Sequence, residues 1–105
     1  MNVSLDEVTM NEIKTQLDAL AENLLDPLEK DDRTSALVAQ QAFTGAIATL
    51  WNMAEEIDID PKLKAVSRLI VGWAIEELPK QIQDPANNLE IKRQLKIFRR
   101  SLLLI

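Results

Sequence analysis

The chain has 105 residues, 12 basic and 17 acidic side chains for a net charge of −5, and no Cys, His or Tyr. That inventory excludes disulfides, thiolate metal sites, Ser-His-Asp and Cys-His catalytic groups and the Glu-x-x-His pairs of helical di-iron centres. Two Gly and four Pro are too few turn residues for an all-β chain, whereas abundant Leu, Ala, Glu and Lys favour helix. The length fits a single domain over 1–105, and surface scaling leaves roughly 6,000 of 17,000 Å² exposed on folding, enough for a core without cross-links.

The first helix is predicted over about 5–26. Ser4 with Glu7 and Thr9 with Glu12 each form a capping box in which hydroxyl and carboxylate satisfy the first free amides. Met10, Ile13, Leu17, Leu20, Leu24 and Leu28 recur at steps of three and four, and Pro27 is expected to end or kink the helix near Asp26. Charged residues 29–33 form the connection. The second helix is predicted over 34–57, with Ala39, Phe43, Ala46, Ile47, Leu50, Ala54 and Ile57 on one face and Gln41, Thr49, Asn52 and Glu56 opposite.

Asp60-Pro61 pairs a good N-cap with a residue preorganised for the first turn, and starts a third helix over 61–78 that Pro79 ends. Its apolar residues Leu63, Val66, Leu69, Ile70, Val71, Trp73, Ala74 and Ile75 cover most of the circumference, which places it centrally or at a subunit interface. Asp84-Pro85 repeats the start signal, with Asn87 and Glu90 as an alternative cap. A fourth helix over 85–103 then carries Ile91, Leu95, Phe98, Leu102 and Ile105 along one side. The three Asp-Pro pairs, Asp26-Pro27 included, read as helix-start punctuation. Short connections make this an all-α, compact, antiparallel up-down four-helix bundle.

No catalytic, cofactor-binding or metal-ligating constellation emerges, and no enzyme activity is expected. The spaced acids of a calcium loop are missing, and Gly45 and Gly72 stand alone inside helices, so no phosphate loop exists. The longest apolar run, 69–75, is much shorter than the roughly 20 residues of a spanning helix. Residues 1–7 have neither a basic start nor an apolar stretch, so no signal peptide is expected and a cytoplasmic protein is.

Charge is unevenly placed. Residues 85–105 hold Lys92, Arg93, Lys96, Arg99 and Arg100 against Glu90, a net of +4, leaving 7 basic and 16 acidic groups to the rest of a chain whose total is −5. The five cations fill a sector of roughly 120° opposite the apolar stripe. Such a basic amphipathic helix suits an acidic protein, nucleic acid or an anionic membrane. An acidic body repels phosphate, so nucleic acid and membrane form the alternative reading. Glu55, Glu56, Glu76 and Glu77 oppose the negative ends of their helices, and Lys92 or Arg93 is expected within reach of Glu76 or Glu77 as an internal compensation, a basic partner being the alternative. Leu103 and Leu104 leave the stripe of the last helix, and Trp51 lies at the margin of its own. The leading expectation is a helical protein-protein interaction module: an adaptor, small regulatory subunit or inhibitor or immunity-type protein, alone or as a homodimer. Its partner surface is read as Trp51, Glu55, Glu56, Glu77, Arg99, Arg100, Leu103 and Leu104.

Overall fold

In the computed structural model, which describes residues 3–4, 7–53, 57–58 and 61–104, helices dominate. They are α1 (Glu7–Glu29), α2 (Arg33–Met53), α3 (Pro61–Gly72), α4 (Leu78–Gln81) and α5 (Asn88–Leu103). A π-helical turn, Trp73–Glu77, joins α3 to α4 in one continuous rod, and a 3-10 turn, Pro85–Asn87, leads into α5. Counted as rods these make four helices, each packed on two neighbours in the ring α1, α2, α3–α4, α5, back to α1. The expected all-α four-helix bundle is the fold. A two-residue parallel ladder pairs β1 (Val3–Ser4) with β2 (Ile57–Asp58).

The helix ends differ from expectation in ways their hydrogen bonds explain. α1 begins at Glu7, so Thr9 lies inside its first turn and Ser4 lies in the ladder, neither at the position that precedes the helix. Pro27 does not end α1 either, and Asp26-Pro27 starts nothing. So near the helix end the proline removes a single bond, and its ring is buried. The stop comes later. Asp32 N donates to Pro27 O at 2.9 Å and Asp31 N to Leu28 O at 3.5 Å, with Asp31 at φ 54°. This is a Schellman closure whose left-handed position, usually glycine, is an aspartate. Because a non-glycine residue is strained there, Asp31→Gly should stabilise the protein by about 0.5–1 kcal/mol. Urea unfolding of the two proteins measures this, and an equal or lower midpoint for the variant would refute it.

Asp32 then caps α2, its Oδ1 accepting from Ser35 N at 3.2 Å and its Oδ2 from Ser35 Oγ at 2.7 Å. The Ser35 hydroxyl and amide hold this carboxyl below its usual range, so acid weakens the cap only as pH falls through that lowered value. The connection thus shrinks to three residues, Lys30, Asp31 and Asp32, and α2 starts at Arg33 rather than Thr34. α2 does not reach Ile57, which pairs with Val3 in the ladder.

Pro79 also fails to stop its helix. The chain passes it by widening: Leu78 N bonds to Trp73 O, five residues back, and α4 continues to Gln81. In that register the donor for Ala74 O would be the amide of residue 79, which proline lacks. Thr44 Oγ1 supplies it from α2 at 2.8 Å, and Gln40 Nε2 donates in turn to Thr44 Oγ1 at 2.8 Å. Gln40 is buried, so this chain of bonds satisfies a polar group the core would otherwise strand. Asp84 starts the 3-10 turn as an N-cap, its Oδ1 accepting from Ala86 N at 3.0 Å. Asn87 does not cap α5 but donates to Gln81 O at 3.0 Å.

The core centres on Phe43, fully buried, with Phe98 edge-on at 5.6 Å and Trp73 at 6.5 Å between ring centroids. Trp73 donates its indole Nε1–H to Gln81 Oε1 at 3.0 Å. The inward stripe of α5 is Ile91, Leu95, Phe98 and Leu102, as its spacing predicts. Leu69 and Ile75, expected among the buried residues of the third helix, face solvent instead.

Candidate protein-binding surface

The basic side of α5 is in large part a seam inside the bundle. Arg99 grips Asp18 of α1 with two bonds, Nε to Oδ1 at 2.8 Å and Nη2 to Oδ2 at 3.3 Å, and lies 3.9 Å from Glu22. The hydrogen-bonded Asp18 carboxylate raises the guanidinium's affinity for its proton above the ordinary value. Lys96 reaches Glu29 at 3.9 Å. Asp18, Glu22 and Glu29 recur at steps of four and seven, so they line the edge of α1 beside α5. Arg93 bonds Glu90 one turn back, at 2.7 and 3.0 Å, rather than Glu76 or Glu77. Among the described residues, only Lys92 and Arg100 of the five cations have no carboxylate at ion-pair distance.

The expected partner residues therefore scatter. Arg99 is paired with Asp18, a neighbour 81 positions away in the chain. Arg100, Leu103 and Leu104 share the last turn of α5, the two leucines exposed at 83% and 78%. Leu104 follows Ile97 by seven residues and continues its side of the helix, while Leu103 turns toward α1 and lines a shallow pocket with Asn11, Lys14 and Asp18. Trp51 is half-buried, and Glu77 is exposed at the end of the π turn, near the opposite end of α5. Glu55 and Glu56 lie outside the described residues.

What the spacing alone did not suggest is a groove between α3 and α5. Its floor is Val66, Ile70, Trp73 and Phe98, with Leu69 and Ile97 on its two sides. Leu69 is 84% exposed and Ile97 47%. Besides the Trp73 indole N–H, which Gln81 accepts, only Gln94 and Ser101 add polar side-chain atoms, and both bond internally: Gln94 Nε2 donates to Glu90 and Ser101 Oγ to Ile97 O. The groove holds about 80 Å³, the room of one branched apolar side chain. A helical wheel does carry the signal, because Leu69 falls about 100° from Ile70 and Ile97 about 100° from Phe98, each off its buried stripe.

No three acidic side chains among the described residues stand where they could share a metal ion. Among the same residues no helix is long and apolar enough to cross a membrane. No family model, curated protein or solved structure matches the chain.

Proposed function

We propose that this chain is a non-enzymatic protein-binding module that receives an apolar side chain of a partner's amphipathic helix in the α3–α5 groove. The observation that carries this reading is the pairing of Leu69 and Ile97, two large side chains left in solvent on either side of an aromatic floor. Exposed apolar surface with a concave floor is costly to a monomer and useful to a binder, and one helix laid against two is a common mode of peptide recognition. Arg100, with no carboxylate at ion-pair distance among the described residues, stands on the outer side of α5 one turn from Ile97, so acidic residues beside the inserted side chain complement it. An adaptor, a small regulatory subunit or an inhibitor of immunity type would all work through such a surface, and we place it in the cytoplasm. The nucleic-acid and membrane reading is weaker, because three of the five α5 cations already face carboxylates.

Selection of displayed helical peptides on the full chain tests the proposal. The expected winners share one large apolar residue with acidic residues three or four positions away. Leu69→Glu and Ile97→Glu should each weaken them about tenfold or more with helicity unchanged. Peptides indifferent to both substitutions would overturn it.

A further inference from the structure

A second face of the bundle, on α2, is unusual for a different reason. From Thr34 to Ala54 the chain has no charged residue, although 28% of all its residues are charged. The solvent side of a surface helix ordinarily carries charge, yet here Val38, Ala42, Gly45 and Thr49 recur along it, all exposed, Val38 to 66%. Beside this ridge runs a groove between α1 and α2 with about 420 Å³ of space, walled by Leu20, Val38, Ala39 and Ala42, and no charged side chain lines it. Nothing inside the chain calls for glycine at 45. A Cβ there would meet no atom within 4 Å, and glycine weakens a helix interior.

We propose that α2 is the interface of a homodimer, in which two copies meet about a two-fold axis and the Val38 ridge of each sits in the α1–α2 groove of the other. Symmetry and charge favour a second copy on this face. Around a two-fold axis a surface meets itself, so any charge near the axis faces its own sign. For a chain of net −5 that penalty falls on α1, α3 and α5, all of which carry charges along their outer sides, and is absent from α2 beyond its first residue, Arg33, whose guanidinium bonds Gln83 O. Its polar residues are hydroxyls and carboxamides, which both donate and accept and so can bond their own kind. A charged partner would find nothing on this face to pair with.

The size is also sufficient. The 21 residues of α2 span about 32 Å of a molecule 44 Å long. With Leu20 and Asn23 of α1 beside it, the strip is on the scale of the roughly 800 Å² per partner that specific interfaces cover. This inference does not use the α3–α5 groove, and either can stand without the other.

Sedimentation equilibrium of the full chain over micromolar to millimolar concentration tests it. The expected result is a mass of two 11.9 kDa chains at the upper end that dissociates on dilution and does not weaken with added salt. Ala42→Glu and Gly45→Leu, both at exposed positions, should weaken association about tenfold or more while circular dichroism stays helical. Leu69→Glu should leave association as it was. A monomer throughout, a dimer indifferent to both α2 variants, or one broken by salt or by Leu69→Glu would each overturn the proposal.

Discussion

Phe43→Ala should lower the free energy of unfolding by about 3–5 kcal/mol. The ring is fully buried and sits between Phe98 and Trp73, which belong to two different helices, so its removal opens a cavity where three of the four rods meet. Domains of this length are stable by roughly 5–15 kcal/mol, so the loss is a large share of the whole. Chemical denaturation followed by far-UV circular dichroism should show an early midpoint. Phe43→Leu, which keeps most of the volume, should fall between the two. A loss below about 1 kcal/mol for the alanine variant would mean that the three rings do not form the centre of the core.

The second large effect is expected at Thr44. Thr44→Val keeps the shape of the side chain and removes its hydroxyl, leaving Ala74 O without its donor and buried Gln40 Nε2 without its acceptor. Each stranded group costs about 1–3 kcal/mol, so about 2–6 kcal/mol is expected for the pair. Thr44→Ser retains the hydroxyl and should recover most of it. The test has a structural readout as well: amide exchange in 73–78 should accelerate in the valine variant beyond what its global stability predicts. Uniform acceleration across the protein would show that the bond to the π turn is not what the hydroxyl contributes.

Both prolines show where a single sequence misleads. Proline reliably removes a bond, but what happens next depends on atoms elsewhere. At Pro27 the local closure around Asp31 lets α1 run on to Glu29, and at Pro79 the answer comes from Thr44, 35 positions away. One clue was present. Ile70, Ala74, Leu78 and Ile82 are buried at successive steps of four, and each such step overshoots an α-helical turn by about 40°. Three in a row would carry the stripe about 120° off the core unless a wider turn absorbed the drift.

Other features were fully legible. The step pattern of α5 identifies its buried side, and Asp60-Pro61 marks where α3 begins. The binding surface was less so, because an apolar run such as 69–75 looks uniformly buried until the rod's neighbours are known. Arg99 is the converse case. Its charge invites an outside partner, and only the approach of α1 reveals Asp18 as its own.

That α1 and α5 are ring neighbours also sets an order of events during synthesis. Asp18 and Arg99 are 81 positions apart, which at the usual 5–20 residues per second is about 4–16 s of translation. Through that interval α1 has emerged while the helix that covers one of its flanks does not yet exist. The flank of α1 that α5 covers thus stays open for seconds of every synthesis, and this is the interval in which it is exposed to wrong pairing.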